Sequence, residues 1–432
     1  MARLREKQQI KVISGVRGCG KTTLLAMYID WLKRSGVDDR QIIYVSMEDP
    51  ESDALLHYQG LYSHVKKRLC VGRLTYVFID EVQLCAGYEK AIGGLLINRQ
   101  VDLYVSVSNA RQTFDGPYAQ IRVLPLSFAE RLIFSRAKVP GRDEELRAFS
   151  APATQQQSAP AQTRRLPRQR AQMEKYLQRE VFSEYLSFGG FPFAAALGGD
   201  ADLTRHYVDG IYSAIIVRDV ARQAGINDIP LLGLVARIMG ENTGRPLSSK
   251  KVGAAISGGG RKISANTVET YMQALTAAFA FYHAERFDIK AGKHLKTLGK
   301  YYAADTGMLN LLLGSPDPDG QLENIVYLEL VRRGLQVCIG KHGGDEVSFV
   351  AFGQPAANGA ANGGAQGSGG GLAYFQVAAS VRDRAILAGK LSPLERIRDN
   401  HPKYILSLDE TPLRANHNGI VQRNLIDWLL EK

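Results

Sequence analysis

The stretch GVRGCGKT, from Gly15 to Thr22, has the residue types and spacing of a phosphate-cradling loop. In the pattern G-x-x-x-x-G-K-[ST], Gly15, Gly20, Lys21 and Thr22 take the fixed places, and Val16, Arg17, Gly18 and Cys19 fill the variable ones. Glycines let the backbone curl until its N–H groups converge on phosphate oxygens, at the start of a helix whose dipole favours anions. Lys21 is then placed to reach the β- and γ-phosphates and the Thr22 hydroxyl to ligate Mg²⁺, with Thr23 completing the binding run.

A second chemical element follows. In TYVFIDE an apolar run leads to Asp80 and Glu81 at the end of a predicted strand, which is where open α/β sheets bind their ligands. Paired with the upstream loop, Asp80 is expected to hold the Mg²⁺ shell, and Glu81 to orient and deprotonate an attacking water. The next strand, VDLYVSVS, ends at Ser106, Ser108 and Asn109, polar residues placed as candidate γ-phosphate sensors. No NKxD guanine-reading element is present, so the expected ligands are ATP and Mg²⁺ rather than GTP.

These residues need elements to position them. KVISG, QIIYVSM, TYVFIDE and VDLYVSVS read as strands. Between the first two, Leu24, Leu25, Tyr28, Ile29 and Leu32 share one helical face that ends before Gly36. Such alternation predicts an α/β fold, a parallel sheet with flanking helices.

The 432 residues suggest two or three domains, and 45% hydrophobic with 22% charged residues is an ordinary globular balance. No apolar run is long enough to cross a membrane, and the basic start carries no signal-peptide core. Cys19, Cys70, Cys85 and Cys338 are scattered without a CxxC pair, so a reduced, cytoplasmic protein is expected. The net charge of +11 is concentrated in two places. Residues 245–300 hold ten Lys and Arg against three acids, and residues 135–170 hold eight against three. A polyanion partner, DNA above all, would suit such a distribution; a solvated face and a basic linker would also account for it.

Two stretches have compositions that do not build cores. Residues 148–170, rich in Pro, Gln, Ala and Arg, read as a flexible basic linker. Residues 354–372, rich in Gly, Ala and Asn, read as a loop joining neighbouring strands.

In order along the chain, KVISGVRGCGKTTLL, IIYVSMEDP, FIDEVQ, VDLYVSVSNA, VLPLSFAE, EYLSFGGFPF, YYAADTGMLN, LENIVYLELVRRGLQV and YFQVA resemble one family over nearly the whole length. These are the prokaryotic AAA-type P-loop ATPases with a C-terminal domain of unknown function. The resemblance implies an AAA-like ATPase domain over 1–135, a linker over 136–172, a helical and winged-helix domain over 173–310, and a PD-(D/E)xK nuclease-like module over 311–432. The middle segment agrees from its own residues: Ser264 can cap a helix in which Val268, Tyr271, Met272 and Leu275 share a face. SSKKVGAAI supplies an earlier helix, and the strand-rich stretch that follows places Lys290 and Lys293 at the tip of a wing.

Departures from the family matter too. The lead before the first strand is short, and where the family runs to Gly-Arg-Tyr this chain has Gly116-Pro117-Tyr118. If that arginine serves transition-state charge, Pro117 cannot replace it, and hydrolysis should be slow. In the C-terminal module Glu323 matches the helix carboxylate, but Ser348 stands at the metal-ligand position. Gln376-Val377-Ala378 lacks the lysine, and Asp345 and Glu346 are offset along the strand. The expected function is therefore an ATP-binding protein with weak or partner-stimulated Mg²⁺-dependent ATPase activity and a basic winged-helix surface for DNA or a protein. The alternatives are a non-hydrolysing ATP-dependent interaction module and, less favoured, a Mg²⁺ nuclease.

Overall fold

A computed structural model describes residues 1–111, 114, 116–137, 166–197, 200–313, 317–353, 371–410 and 415–431. Most of the expected linker and of the Gly/Ala-rich loop lies outside the described residues. The chain divides into two units. The first comprises three stretches, Met1–Pro125, Ile211–Ile229 and Gln273–Ala280. Contacts such as Ala110 N–H donating to Ala277 O at 2.6 Å bring the later stretches in, and no local pattern announces them.

The first unit is built on five parallel strands: β1 (Ile10–Ser14), β2 (Ile42–Ser46), β3 (Thr75–Asp80), β4 (Val101–Val107) and β5 (Tyr118–Arg122), in the order β2-β3-β4-β1-β5. Burial follows position. The three central strands are buried at every residue, as a sheet covered on both faces requires, whereas the two edge strands alternate or stay partly exposed. On one face Val12, Val77, Ile79, Leu103 and Val105 meet the helices α2 (Tyr58–Arg68) and α3 (Tyr88–Leu96). On the other, Ile13, Tyr76, Phe78 and Tyr104 meet Leu25, Tyr28 and Leu32 of α1 (Lys21–Arg34). The α1 face expected from periodicity is the buried one, and the helix stops where Gly36 takes a φ of +89°. Because β1 inserts between β4 and β5, the chain leaves it at the crevice where the strand order reverses.

The second unit contains an eight-stranded mixed sheet, in the order β12 (Asn416–His417), β13 (Ile420–Asn424), β11 (Lys403–Ser407), β10 (Leu372–Val377), β9 (Asp345–Gly353), β8 (Leu335–His342), β6 (Phe281–Asp288) and β7 (Lys293–Ala303). Its edge hairpin is β6 (Phe281–Asp288) and β7 (Lys293–Ala303), the strands expected to form a wing. β6 also pairs in parallel with β8 (Leu335–His342), so the hairpin is hydrogen-bonded into the C-terminal sheet. The two preceding helices, Ser249–Gly258 and Ala265–Ala277, lie where expected, and Ser264 Oγ accepts from Thr267 N at 3.0 Å. β9 (Asp345–Gly353) and β10 (Leu372–Val377) are antiparallel neighbours, which fits the Gly/Ala-rich stretch between them as a strand-to-strand connection. Among the described residues no helix is long and apolar enough to cross a membrane.

Candidate functional site

The loop between β1 and α1 is shaped by its glycines. Gly18 and Gly20 take φ of +80° and +102°, values that side chains disfavour. At Gly15 a β-carbon would lie 2.1 Å from Val123 O, so only glycine admits that approach. Val16 and Cys19 are buried beneath the loop, and Thr23 is exposed on the first turn of α1.

Lys21, Glu81, Ser106, Ser108, Asp80 and Thr22 converge at the C-terminal ends of β1, β3 and β4. Lys21 Nζ donates to Ser108 Oγ at 2.8 Å and to Gly15 O at 3.0 Å, and lies 3.2 Å from Glu81 Oε1. Ser108 Oγ donates onward to Glu81 Oε1 at 2.7 Å, and Gln83 Nε2 donates to the other carboxylate oxygen. Glu81 reaches this position with a left-handed φ of +53°, the kind of strain that the surrounding structure must hold in place. Burial alone would lower the Lys21 pKa, but the Glu81 charge reverses this and raises it. Burial would raise the Glu81 pKa, yet Lys21, Ser108 and Gln83 together hold it below the usual carboxylate value. Both groups are therefore charged at neutral pH.

Beside them Thr22 Oγ1 donates to Asp80 Oδ2 at 2.7 Å, and Tyr44 donates to the same oxygen at 3.3 Å. Ser106 Oγ donates to Asp80 Oδ1 and accepts from Glu81 N at 2.8 Å, so it braces both acids. The adjacent Thr22 hydroxyl and Asp80 carboxylate are hard oxygen donors of the kind Mg²⁺ takes. They fit a Mg²⁺–triphosphate bound on the loop. Lys21 would reach the phosphates by leaving Glu81.

Of the three sensor candidates, Ser108 touches Lys21 and Glu81, and Ser106 touches Asp80. Asn109 instead donates to Gln223 Oε1 at 2.6 Å and accepts from Arg111 N. Three residues not foreseen join the site. Arg17 pairs with Asp219 and Glu48, and Gln83 holds Glu81. Glu48 stands in the IIYVSMEDP stretch that carries the resemblance, but nothing local marked its acid for the site. Asp219 lies 202 residues from Arg17 and gave no local signal either.

In the second unit Glu323 Oε1 accepts from Tyr302 OH at 2.7 Å and from Lys300 Nζ at 2.9 Å, and Lys300 Nζ also meets Glu346 Oε1 at 2.6 Å. Ser348 Oγ donates to Gln376 Oε1 at 3.1 Å, and Asp345 pairs with Arg396. Lys300, counted within the basic stretch, is thus buried between two carboxylates and adds nothing to a polyanion face. Pro117 accepts from Ile10 N through its carbonyl at 3.0 Å, at the start of the β1–β5 pairing.

Residues 7–132 match the family model described as an AAA domain, a span that contains Lys21, Thr22, Asp80, Glu81, Ser106 and Ser108. Residues 179–319 match a model described as a domain of unknown function, DUF8612. A Haemophilus influenzae protein carried as "Uncharacterized protein" is 27% identical, covering 100% of this chain and 96% of its own length. "Uncharacterized protein MJ1544" of Methanocaldococcus jannaschii is 26% identical, over 80% of this chain and 73% of its own. Among solved structures, C. elegans PCH-2 aligns with a TM-score of 0.29 at 15% identity, covering 46% of this chain and 55% of that one. Over residues 7–132 the chain is thus similar to AAA domains, and the Gly15–Thr22 loop in that span has the P-loop pattern.

Proposed function

We propose that the chain is an AAA-type ATPase that binds ATP with Mg²⁺ on the Gly15–Thr22 loop and hydrolyses it slowly or on stimulation by a partner. The observation that carries this reading is the convergence of Lys21, Thr22, Asp80, Glu81 and Ser108 at one end of the sheet. Bound Mg²⁺ would neutralise charge on the phosphate oxygens. Lys21 would hold the β- and γ-phosphates, with Thr22 and Asp80 keeping the ion in place. Glu81, released from Lys21, would orient a water and take its proton. Ser108 would then bridge Glu81 to the phosphate end of the site. Pro117 offers no charge to the transition state, which supports slow turnover by the isolated chain.

Phosphate release from Mg·ATP, with Lys21→Ala and Glu81→Gln as controls, tests the reading. Binding without any release, unchanged by DNA, would favour a nucleotide-dependent interaction module instead. A DNA contact has support of its own: Lys250, Lys251, Arg261, Lys262, Lys290 and Lys293 are all exposed. Nuclease chemistry has less, because Lys300 already compensates Glu323 and Glu346, and Ser348 offers a hydroxyl where the resemblance expects a carboxylate.

A further inference from the structure

Arg17 is the one long side chain among the variable positions of the phosphate loop, and none of its hydrogen bonds goes to the loop. Its Nε and one terminal nitrogen grip Asp219 at 2.8 and 2.9 Å, a two-pronged charge-assisted pair, while the other terminal nitrogen meets Glu48 Oε1 at 2.7 Å. The Asp219 side chain is 3% exposed and that of Glu48 37%, so water can compensate Glu48 but not Asp219. Asp219 sits in Ile215–Ala221, a π-helical segment. Such wide turns are rare in proteins and concentrate at functional sites. Residues flanking this stretch meet the site at two further points. A β-carbon on Gly18 would come within 3.1 Å of Ile211 Cδ1, and Gln223 accepts from the sensor candidate Asn109. A cavity of about 100 Å³ is lined by Asp219 together with Asn109, Arg111 and Gln223.

A guanidinium fork that suits a carboxylate suits a phosphate equally well. We propose that Arg17 exchanges the Asp219 carboxylate for the bound triphosphate, and that this exchange releases the segment Ile211–Ile229. Asp219 thus holds the fork that phosphate would take. Once Arg17 leaves, Asp219 is a buried carboxylate without its cation, which is strongly unfavourable. The segment must then shift to bring Asp219 to water, and nucleotide occupancy is transmitted into the 211–229 stretch. The exchange also lowers ATP affinity, because only the fraction of molecules with Arg17 free is ready to bind. It rests on the nucleotide reading above.

The test is ATP affinity by calorimetry and amide hydrogen exchange of residues 211–229, in the full chain, for wild type, Asp219→Asn, Arg17→Lys and Lys21→Ala. ATP should speed exchange of 211–229 in the wild type. Asp219→Asn should show that faster exchange without ATP and bind ATP roughly tenfold more tightly, within the ordinary range for linked sites. Arg17→Lys keeps the charge but loses the fork, so it should bind ATP while 211–229 exchanges fast with or without nucleotide. It carries the test should Asp219→Asn fail to fold. If wild type binds ATP and Lys21→Ala does not, yet Asp219→Asn binds no better than wild type, the exchange is overturned and the pair is a static brace. Unchanged 211–229 exchange on ATP binding overturns it equally. A wild type that binds no ATP removes the nucleotide reading and this proposal together.

Discussion

Lys21 and Glu81 form a buried ion pair, 3.2 Å apart, with both side chains almost wholly removed from solvent. In the proposed roles, the cation for phosphate and the acid for water thus neutralise each other, and Ser108 hydrogen-bonds to both. Neither charge is left alone in a low-dielectric place, which would be costly. On the proposed function a triphosphate would take Lys21 from Glu81, and that step would free the carboxylate.

Lys21→Ala should therefore abolish ATP-dependent stabilisation. At a ligand concentration of 100 Kd, binding would add about 2.7 kcal/mol to the wild type. The check is a thermal shift with and without millimolar Mg·ATP. A shift retained in Lys21→Ala would remove Lys21 from the site.

Glu81→Gln should keep ATP binding, or tighten it, because Lys21 loses its competitor, while phosphate release falls by about 10²-fold or more. Should Glu81→Gln bind ATP as poorly as Lys21→Ala, the role given to Glu81 is wrong.

The pair also predicts a pH dependence for the nucleotide-free protein. The folded Glu81 pKa lies below its ordinary 4.5, so its contribution is present above that value and lost as pH falls through the depressed one. Lys21 lies above its ordinary 10.5, so its contribution is present below that value and lost as pH rises through the raised one. Chemical denaturation across acidic pH should show wild type losing more stability than Glu81→Gln. Parallel curves would refute the linkage.

What the sequence shows about this site follows chain-local patterns. The loop, the α1 stripe and the two strand ends were readable because their residues lie within a few positions of one another, and hydrophobic period or fixed spacing marks them. Asp219 was not readable, because its partner is 202 residues away and nothing local distinguishes it from a surface acid on a helix. Lys300 misled in the opposite sense. In a stretch of ten basic residues it looks like one more surface cation, yet it is 2% exposed between Glu323 and Glu346. The hairpin's membership of the C-terminal sheet was also hidden, since β6 pairs with β8 across β7 and the helices Thr306–Leu312 and Pro318–Arg332.

Lys300→Ala should destabilise the second unit by about 3 kcal/mol, because Glu323 would be left buried without its cation. Urea unfolding measures this. Lys300→Ala with Glu323→Gln should recover part of the loss, and no recovery would mean that Lys300 acts through packing alone.

The basic residues of the second unit make the last prediction. Lys290 and Lys293 are exposed at the tip of the β6–β7 hairpin, and Lys250, Lys251, Arg261 and Lys262 are exposed on and beside the two helices before it. If these form a face for duplex DNA, binding should show little sequence preference and weaken steeply with salt. Releasing counterions from about four phosphates gives a log–log slope near −3.6. The Arg-rich stretch at 164–170 could bind DNA by itself, so the comparison needs two variants, one with that stretch neutralised and one with Lys290 and Lys293 reversed to Glu. Fluorescence anisotropy between 50 and 200 mM salt distinguishes them. Because the hairpin is fixed into a sheet, reversing its tip leaves the backbone in place, and lost affinity reports lost phosphate contacts rather than unfolding. If the hairpin variant binds like wild type while the linker variant does not, the hairpin is only the edge of the sheet and the DNA face is refuted.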